Sequence, residues 1–373
     1  MDIDTDSAAQ QIRIVGDGSG LDDSGRFYAE EVQLAIRNRG MPLEALRYPI
    51  TPTGLHYLLV HYDVPEVDAA AWRLRLGGLV ARPLSLSLDD LRRRPAHTLA
   101  VTMECAGNGR GQMSPRRISH PWMGDAIGTA EWTGTPLRGL LDDAGLRPEA
   151  LELVFSGLDR GIEGRQVQTY QRSLSLDDAS RPEVLLAYAM NGEPLPPQHG
   201  FPLRLVVPGW YGMTSVKWLD QIEAVSEPFQ GFQMAHAYRY AQSADWVGEP
   251  VNLMRVRALM TPPGIPDFMT RTRLVPAGRV TLRGAAWAGR AAVTRVEVSA
   301  DGGATWAAAE VGEPLSPFAW ADWSFEWDAR PGPATLCVRA TDAAGNTQPM
   351  APAWNFGGYG NNAVQQVSVI VAE

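Results

Sequence analysis

An α+β domain followed by an all-β sandwich is the fold this sequence predicts, and three observations predict it. The chain has 373 residues, long enough for two domains with separate cores. Up to about residue 245, short apolar runs and a few helical stretches alternate with long loops rich in Gly and Pro. Beyond that point alternating runs recur, separated by turn chemistry such as Asp301-Gly302-Gly303, Pro331-Gly332-Pro333 and Ala344-Gly345-Asn346.

The composition is that of a globular chain, with 45% hydrophobic and 20% charged residues. No apolar run approaches the ~20 residues that span a bilayer. A net charge of -9 argues against general nucleic-acid binding. The acidic start, Met1-Asp2-Ile3-Asp4, lacks a secretory pattern, so a cytoplasmic location is expected, or a periplasmic one if a leader has been removed. Cys105 and Cys337 are too few and too far apart for a disulfide framework. Lys217 is the only lysine among 33 basic residues. Either a compact ammonium is required there or one lysine survived a compositional bias.

Taken in order, residues 1–25 read as a loose tail and Arg26 to Arg39 as a short helix. The dense apolar stretch between Tyr48 and Pro65 reads as a buried strand or ordered loop. Trp72 to Leu79 alternates as a strand. Ser87 is placed to cap a helix, with Asp90 three residues on. Thr98 to Met103 is a strand delivering Cys105 into the turn Ala106-Gly107-Asn108-Gly109, and Arg110 follows. A helix runs past Leu140 to Gly145. Leu151 to Phe155 is a strand ending in the turn Ser156 to Gly161. Val184 to Met190 precedes an Asn191-Gly192 turn, and Leu203 to Val207 lies between Pro/Gly loops. Val280–Gly284, Arg295–Ala300, Asp322–Trp327 and Ala334–Thr341 supply the sandwich, with Cys337 as a core residue.

Several loops that end strands each carry polar residues able to point inward: Cys105 with Asn108 and Arg110, Asp159, His199 with Arg204, and Ser215 with Lys217. Cations and histidines in Gly-rich loops suit an anionic, heteroatom-rich ligand. Cys105 is then a thiolate ligand to a soft or high-valent metal carried by that ligand, or else a buried structural cysteine. A Cys105–His199 nucleophile pair is a further possibility on residue types alone. Zinc-ligand spacings, a Walker loop and a dinucleotide fingerprint are absent from the sequence.

Met103–Arg110 (MECAGNGR), His199–Pro202 (HGFP) with Arg204, Val206–Gly209 (VVPG) and Ser215–Leu219 (SVKWL) resemble the molybdenum-cofactor domain of the sulfite oxidase family. That family includes eukaryotic assimilatory nitrate reductase. Pro49–Pro65 resembles its first cofactor loop. Asp301–Trp306 (DGGATW), Asp342–Pro349, and Trp354-Asn355 with Asn361-Asn362 resemble its immunoglobulin-like dimerisation domain. The resemblance implies a catalytic domain over residues 26–248 and a dimerisation domain over 249–373. It implies a molybdenum–molybdopterin cofactor with Cys105 as the metal's protein ligand. Tyr57, Leu58, Leu59, Val60, His61, Asp159, His199, Arg204, Ser215, Val216 and Lys217 would hold the pterin and its phosphate. Arg110, Trp122 and Tyr238 would form the substrate pocket, with Tyr240 the other placement of the tyrosine.

Three departures bear on the substrate. Where sulfite oxidases carry Arg-Asn before the loop histidine, this chain has Leu59-Val60. Gly357 stands at a pocket arginine, and Gly109 where many members have a first arginine in the cysteine loop. Each charge-assisted contact is worth roughly 1.5–3 kcal/mol, so binding of a small dianion is expected to weaken. Arg116 and Arg117 are the candidates to replace a lost charge. The expected activity is oxo-transfer, with sulfite oxidised to sulfate; reduction of nitrate or of an S- or N-oxide is the alternative. No haem-binding segment is visible, so electrons are expected to pass to a separate partner, and a homodimer through the second domain is expected.

Overall fold

The computed structural model describes residues 20–373. The reading of residues 1–25 as a loose tail falls largely outside the described residues. From Leu21 the chain pairs with Arg117, and Asp22 with Arg116, in a short two-stranded ladder. The helix expected over Arg26–Arg39 occupies Ala29–Arg37.

The first domain is built on two five-stranded sheets. One runs Glu193–Pro194, Leu185–Met190, Ile127–Pro136, His97–Glu104, with Arg204–Val206 also on Leu185–Met190. All its pairings are antiparallel, and His97–Glu104 is an edge strand. The other runs Leu84–Leu86, Leu74–Gly78, Leu219–Val225, Glu152–Glu163, Gln166–Ser175. Between them Leu76, Leu137, Leu153, Phe155, Leu186, Leu205 and Ile222 form one core.

Local signals explain several boundaries. Ser87 Oγ accepts from Asp90 N at 3.1 Å, and the Asp90 carboxylate accepts from Ser87 N at 2.9 Å, closing a reciprocal cap on Leu88–Arg92. Asn191 and Gly192 take φ of 53° and 81°, the paired left-handed residues of a tight hairpin. One expectation fails: Ser156 to Gly161 is not a turn. The strand runs on to Glu163, with its register shifted between Ser156 and Arg160. This bulge seats Asp159, and Gly157 is required beside it, since a Cβ there would lie 2.6 Å from the Lys217 carbonyl. The Tyr48–Pro65 stretch is an ordered loop tied by mutual backbone bonds between Arg39 and Leu58.

The second domain is a sandwich. A four-stranded sheet (Arg257–Met260, Gly278–Trp287, Ala321–Ala329, Glu310–Val311) faces a six-stranded one. The latter runs Ile265–Pro266, Arg273–Pro276, Gln365–Ala372, Gly332–Asp342, Val293–Ser299, Ala307–Ala308. Trp323, Trp327, Val296, Leu336 and Val369 fill it, and Cys337 is fully buried within the long strand. A separate apolar cluster joins the two domains, with Met41, Ala106, Ile127 and Tyr211 from the first packed on Leu259, Ala285, Trp287 and Trp320 from the second.

Candidate active site

The edge strand His97–Glu104 ends in a turn that holds Cys105 below the surface. Cys105 N donates to Ala126 O at 3.0 Å and Asn108 N to Cys105 O at 2.9 Å. Asn108 Oδ1 accepts from Ala126 N at 2.9 Å, tying the turn to the start of the neighbouring strand. Gly109 turns the chain at φ 83°, and a Cβ there would meet Asn361 Nδ2 at 2.9 Å. A side chain at position 109 would therefore sit in a strained backbone conformation and have to displace the Asn361 amide. Burial pushes the Cys105 thiol up, partly offset by the Gly107 backbone N–H, Arg110 and Trp122.

Two cavities meet at this cysteine. A narrow one is lined by His56, Tyr57, Leu58, Leu59, His61, Asp159, His199, Arg204, Ser215 and Lys217. The other, of about 320 Å³, is lined by Arg110, Trp122, Tyr238, Ser119, His120, Glu163 and Tyr359. Leu59, His61 and Cys105 belong to both walls. Val60 faces the larger cavity only. Val216 lines neither; its side chain packs into the domain core, while its carbonyl accepts from Leu205 N at 2.8 Å.

The narrow cavity gathers polar and charged side chains from four separate segments of the chain. Lys217 Nζ donates to the carbonyls of Leu59 at 2.7 Å and Gln198 at 3.0 Å. Arg204 is fixed by the carbonyls of His199 and Ser215, both at 3.1 Å, and its guanidinium lies 4.5 Å from the centre of the Trp132 ring. Burial and the Arg204 charge bring Lys217 down to about 7, opposed by Asp159. Burial raises Asp159 to about 6 against the pull of Lys217. Burial and neighbouring cations leave His56 at about 4, His61 at about 3 and His199 at about 2, so all three are neutral near pH 7.

Buried and without a hydrogen-bond partner among the described residues are His56 Nε2 and Asp159 Oδ1. Orphaned polar atoms beside a lysine and an arginine suit a polar, anionic group that would complete their bonding. No three His, Cys, Asp or Glu side chains converge as a metal cage among the described residues. A metal at Cys105 must therefore bring its other ligands with it, as a dithiolene-bearing pterin does. The donor set fits that cofactor.

In the larger cavity Arg110 is held by other parts of the protein. Its Nε donates to Gly357 O at 2.9 Å and its Nη1 to Ser119 Oγ at 3.0 Å, and it lies 4.9 Å from the Tyr359 ring centre. Tyr238 lines this cavity and Tyr240 does not. The Trp122 ring lies tilted against His120, with ring centres 3.8 Å apart, and burial and Arg110 hold His120 at about 4. Arg116 does not reach in; it is buried in ion pairs with Glu31 at 2.5 Å and Asp22 at 3.2 Å. Arg117 lies over the Phe356 ring at 4.7 Å, outside the lining. Sequence reasoning missed His56, His120, Glu163 and Tyr359. His56 adjoins the Tyr57–His61 run and His120 precedes Trp122 by two residues, so both were within reach of the same motifs.

The family model for the oxidoreductase molybdopterin binding domain matches residues 61–233, and that for the Mo-co oxidoreductase dimerisation domain matches residues 249–372. The mitochondrial sulfite oxidase of Mus musculus is 38% identical over 342 residues, covering 86% of this chain and 62% of that protein. The sulfite oxidase of Gallus gallus is 38% identical over 330 residues, covering 83% of this chain and 70% of that protein. The chain thus spans between 62% and 70% of the length of these relatives. The structure of the sulfane dehydrogenase SoxCD from Paracoccus pantotrophus superposes with a TM-score of 0.77 at 26% identity, covering 97% of this chain and 96% of that one. With both domains matched in order and the cysteine turn seated between two cavities, the chain belongs to the sulfite oxidase family of molybdopterin oxidoreductases.

Proposed function

We propose that this protein is a molybdenum-dependent oxidoreductase that oxidises sulfite and passes the electrons to a separate acceptor. The single observation that carries the reading is the place of Cys105, in the wall shared by a cationic cavity and a larger pocket. A molybdenum bound by a pterin dithiolene and one protein thiolate supplies two-electron exchange of an oxygen atom with a substrate. Cys105 offers the thiolate. Lys217, Arg204 and Ser215 would hold the phosphate end, and Asp159, His56 and His199 the polar edge of the pterin. Arg110 binds the substrate anion, the Tyr238 hydroxyl hydrogen-bonds to it, and Trp122 walls off water. The second domain supports a homodimer, in keeping with the name of its family model.

Metal and pterin analysis tests this, with about one molybdenum per chain expected. Cys105→Ser should abolish turnover and change the absorption of the loaded protein while keeping its fold, since the pterin keeps its own hold on the protein. Loaded protein that leaves sulfite untouched in the presence of ferricyanide would sink the sulfite reading.

A second reading, reduction of nitrate or of an S- or N-oxide, draws on the pocket's charge. Among the cavity's lining residues Arg110 is the one Lys or Arg, and the Glu163 carboxylate shares the wall. A neutral oxide tolerates that balance better than a dianion does. Reoxidation of dithionite-reduced protein by a sulfoxide or nitrate, with no sulfite turnover, would favour it.

A further inference from the structure

The strand that carries Cys105 lies at a sheet edge, and an unpaired edge presents backbone groups that need partners. Here the second domain supplies them. Thr102 N donates to Phe318 O at 2.9 Å, Trp320 N to Thr102 Oγ1 at 2.7 Å, and Ser316 Oγ to Ala100 O at 2.5 Å. Past the strand the contact continues along the turn. Gly360 N donates to Ala106 O, and Asn361 Nδ2 to Gly109 O, both at 2.8 Å.

At the centre is Glu104, the residue before the cysteine, only 2% exposed. Its Oε1 accepts from Arg257 Nη1 at 2.7 Å and from Asn108 Nδ2 at 2.9 Å. Its Oε2 accepts from Trp287 Nε1 at 2.9 Å. Arg257 also donates to Asn361 O at 3.0 Å, closing a circuit back to the turn. One carboxylate therefore joins a residue of the cysteine turn to two side chains of the other domain. A buried charge with this many donors is held in one geometry, because any displacement leaves donors unpaired.

We propose that Glu104 is a positioning residue through which the second domain fixes the seat of the Cys105 sulfur. The second domain is then a wall of the active site as well as a surface for assembly. Only the readouts on loaded protein rest on Cys105 as the metal ligand; the seat itself can be read without cofactor.

The test compares Glu104→Gln with Trp287→Phe in the full-length chain. The first replaces an acceptor by an amide that cannot satisfy all three donors; the second deletes one donor and keeps the packing. In cofactor-free protein, iodoacetamide labelling of Cys105 is followed by mass spectrometry, with Cys337 as internal reference. Labelling of Cys105 relative to Cys337 is expected to rise at least ~5-fold in Glu104→Gln and less in Trp287→Phe. In loaded protein the sulfur-to-metal absorption should shift, and kcat should fall with KM within about twofold. An unchanged labelling ratio in both variants, or equal acceleration at both cysteines, overturns the proposal. If Glu104→Gln does not fold, the ratio in Trp287→Phe decides. A changed ratio in protein that never binds molybdenum would keep the proposal and remove the metal-ligand reading.

Discussion

His61 Nε2 and Tyr238 Oη lie 2.6 Å apart, joining residues 177 positions distant in sequence across the boundary of the two cavities. His61 is neutral near pH 7, because burial and the charges of Lys217 and Arg110 depress it to about 3. The tyrosine hydroxyl thus has a fixed partner on one side and the larger cavity on the other. Tyr238→Phe should lower kcat roughly 10²- to 10⁴-fold, the scale of a positioned proton-bearing group. Tyr240→Phe should stay within about twofold of the parent. Steady-state rates at matched molybdenum content check this, and equal losses at both positions would refute it.

Arg110 and Arg116 offer a sharper contrast. Arg110 lines the larger cavity, whereas Arg116 sits 3% exposed between Glu31 and Asp22. Arg110→Met should cost roughly 10- to 150-fold in kcat/KM, the loss of one charge-assisted contact, with little change in melting temperature. Arg116→Met leaves Glu31 buried without its cation and should destabilise by about 3–5 kcal/mol while sparing kcat in the folded fraction. Denaturant titrations alongside kinetics separate the two, and an Arg116 variant with normal stability and lost activity would contradict the assignment.

Restoring the lost arginines should not be symmetrical. Leu59 borders both cavities, so Leu59→Arg can present a guanidinium beside Cys105 and should tighten sulfite binding several-fold or more. At Gly357 even a Cβ would run into the Tyr359 ring. Gly357→Arg alone should therefore give no gain, and gain should appear only with Tyr359→Ala. KM for sulfite in the three variants is the measurement; tightening by Gly357→Arg alone would show that the ring yields.

Acid should destabilise the cofactor-free protein earlier than its carboxylates would. Burial lowers His56 and His120 to about 4, His61 to about 3 and His199 to about 2 from 6.5, so the unfolded chain binds more protons below pH 6.5. Stability is then lost as pH falls from 6.5 toward 4. Asp159, raised to about 6, works the other way between pH 6 and 3.8, and so do Asp125, Asp220 and Asp322, which burial also raises, but the four histidines have the wider pH span. Urea midpoints should fall steadily from pH 7 to 5, and His56→Gln should flatten the slope. A flat profile in the parent would refute neutral burial of these histidines.

Much of this was legible from local chemistry. The Ser87 cap, the Asn191-Gly192 hairpin and the alternating runs of the sandwich are each decided within a few residues. The strand continuing through Ser156–Gly161 was not, because its glycines, serine and aspartate are turn residues by composition. They are held extended by the following hairpin strand Gln166–Ser175 on one side and by Leu219–Val225, which arrives from elsewhere in the chain, on the other. The site followed the same rule. Cys105, Lys217, Arg204 and Arg110 sit in compact motifs, but Glu163 enters the pocket from a segment with no motif of its own, and Tyr359 from the Trp354–Asn362 segment, where the motif drew attention to Gly357 instead. The link from Glu104 to Arg257 spans 153 residues, and no local pattern announces it.

Lys217 carries a practical consequence. The chain has no other lysine, and this one points its ammonium into the wall of the narrow cavity. Amine-directed chemistry, whether crosslinking, dye coupling or attachment to an activated surface, finds no side-chain amine on the outside of the protein. Acylation of that one side chain would instead report whether the cavity is filled.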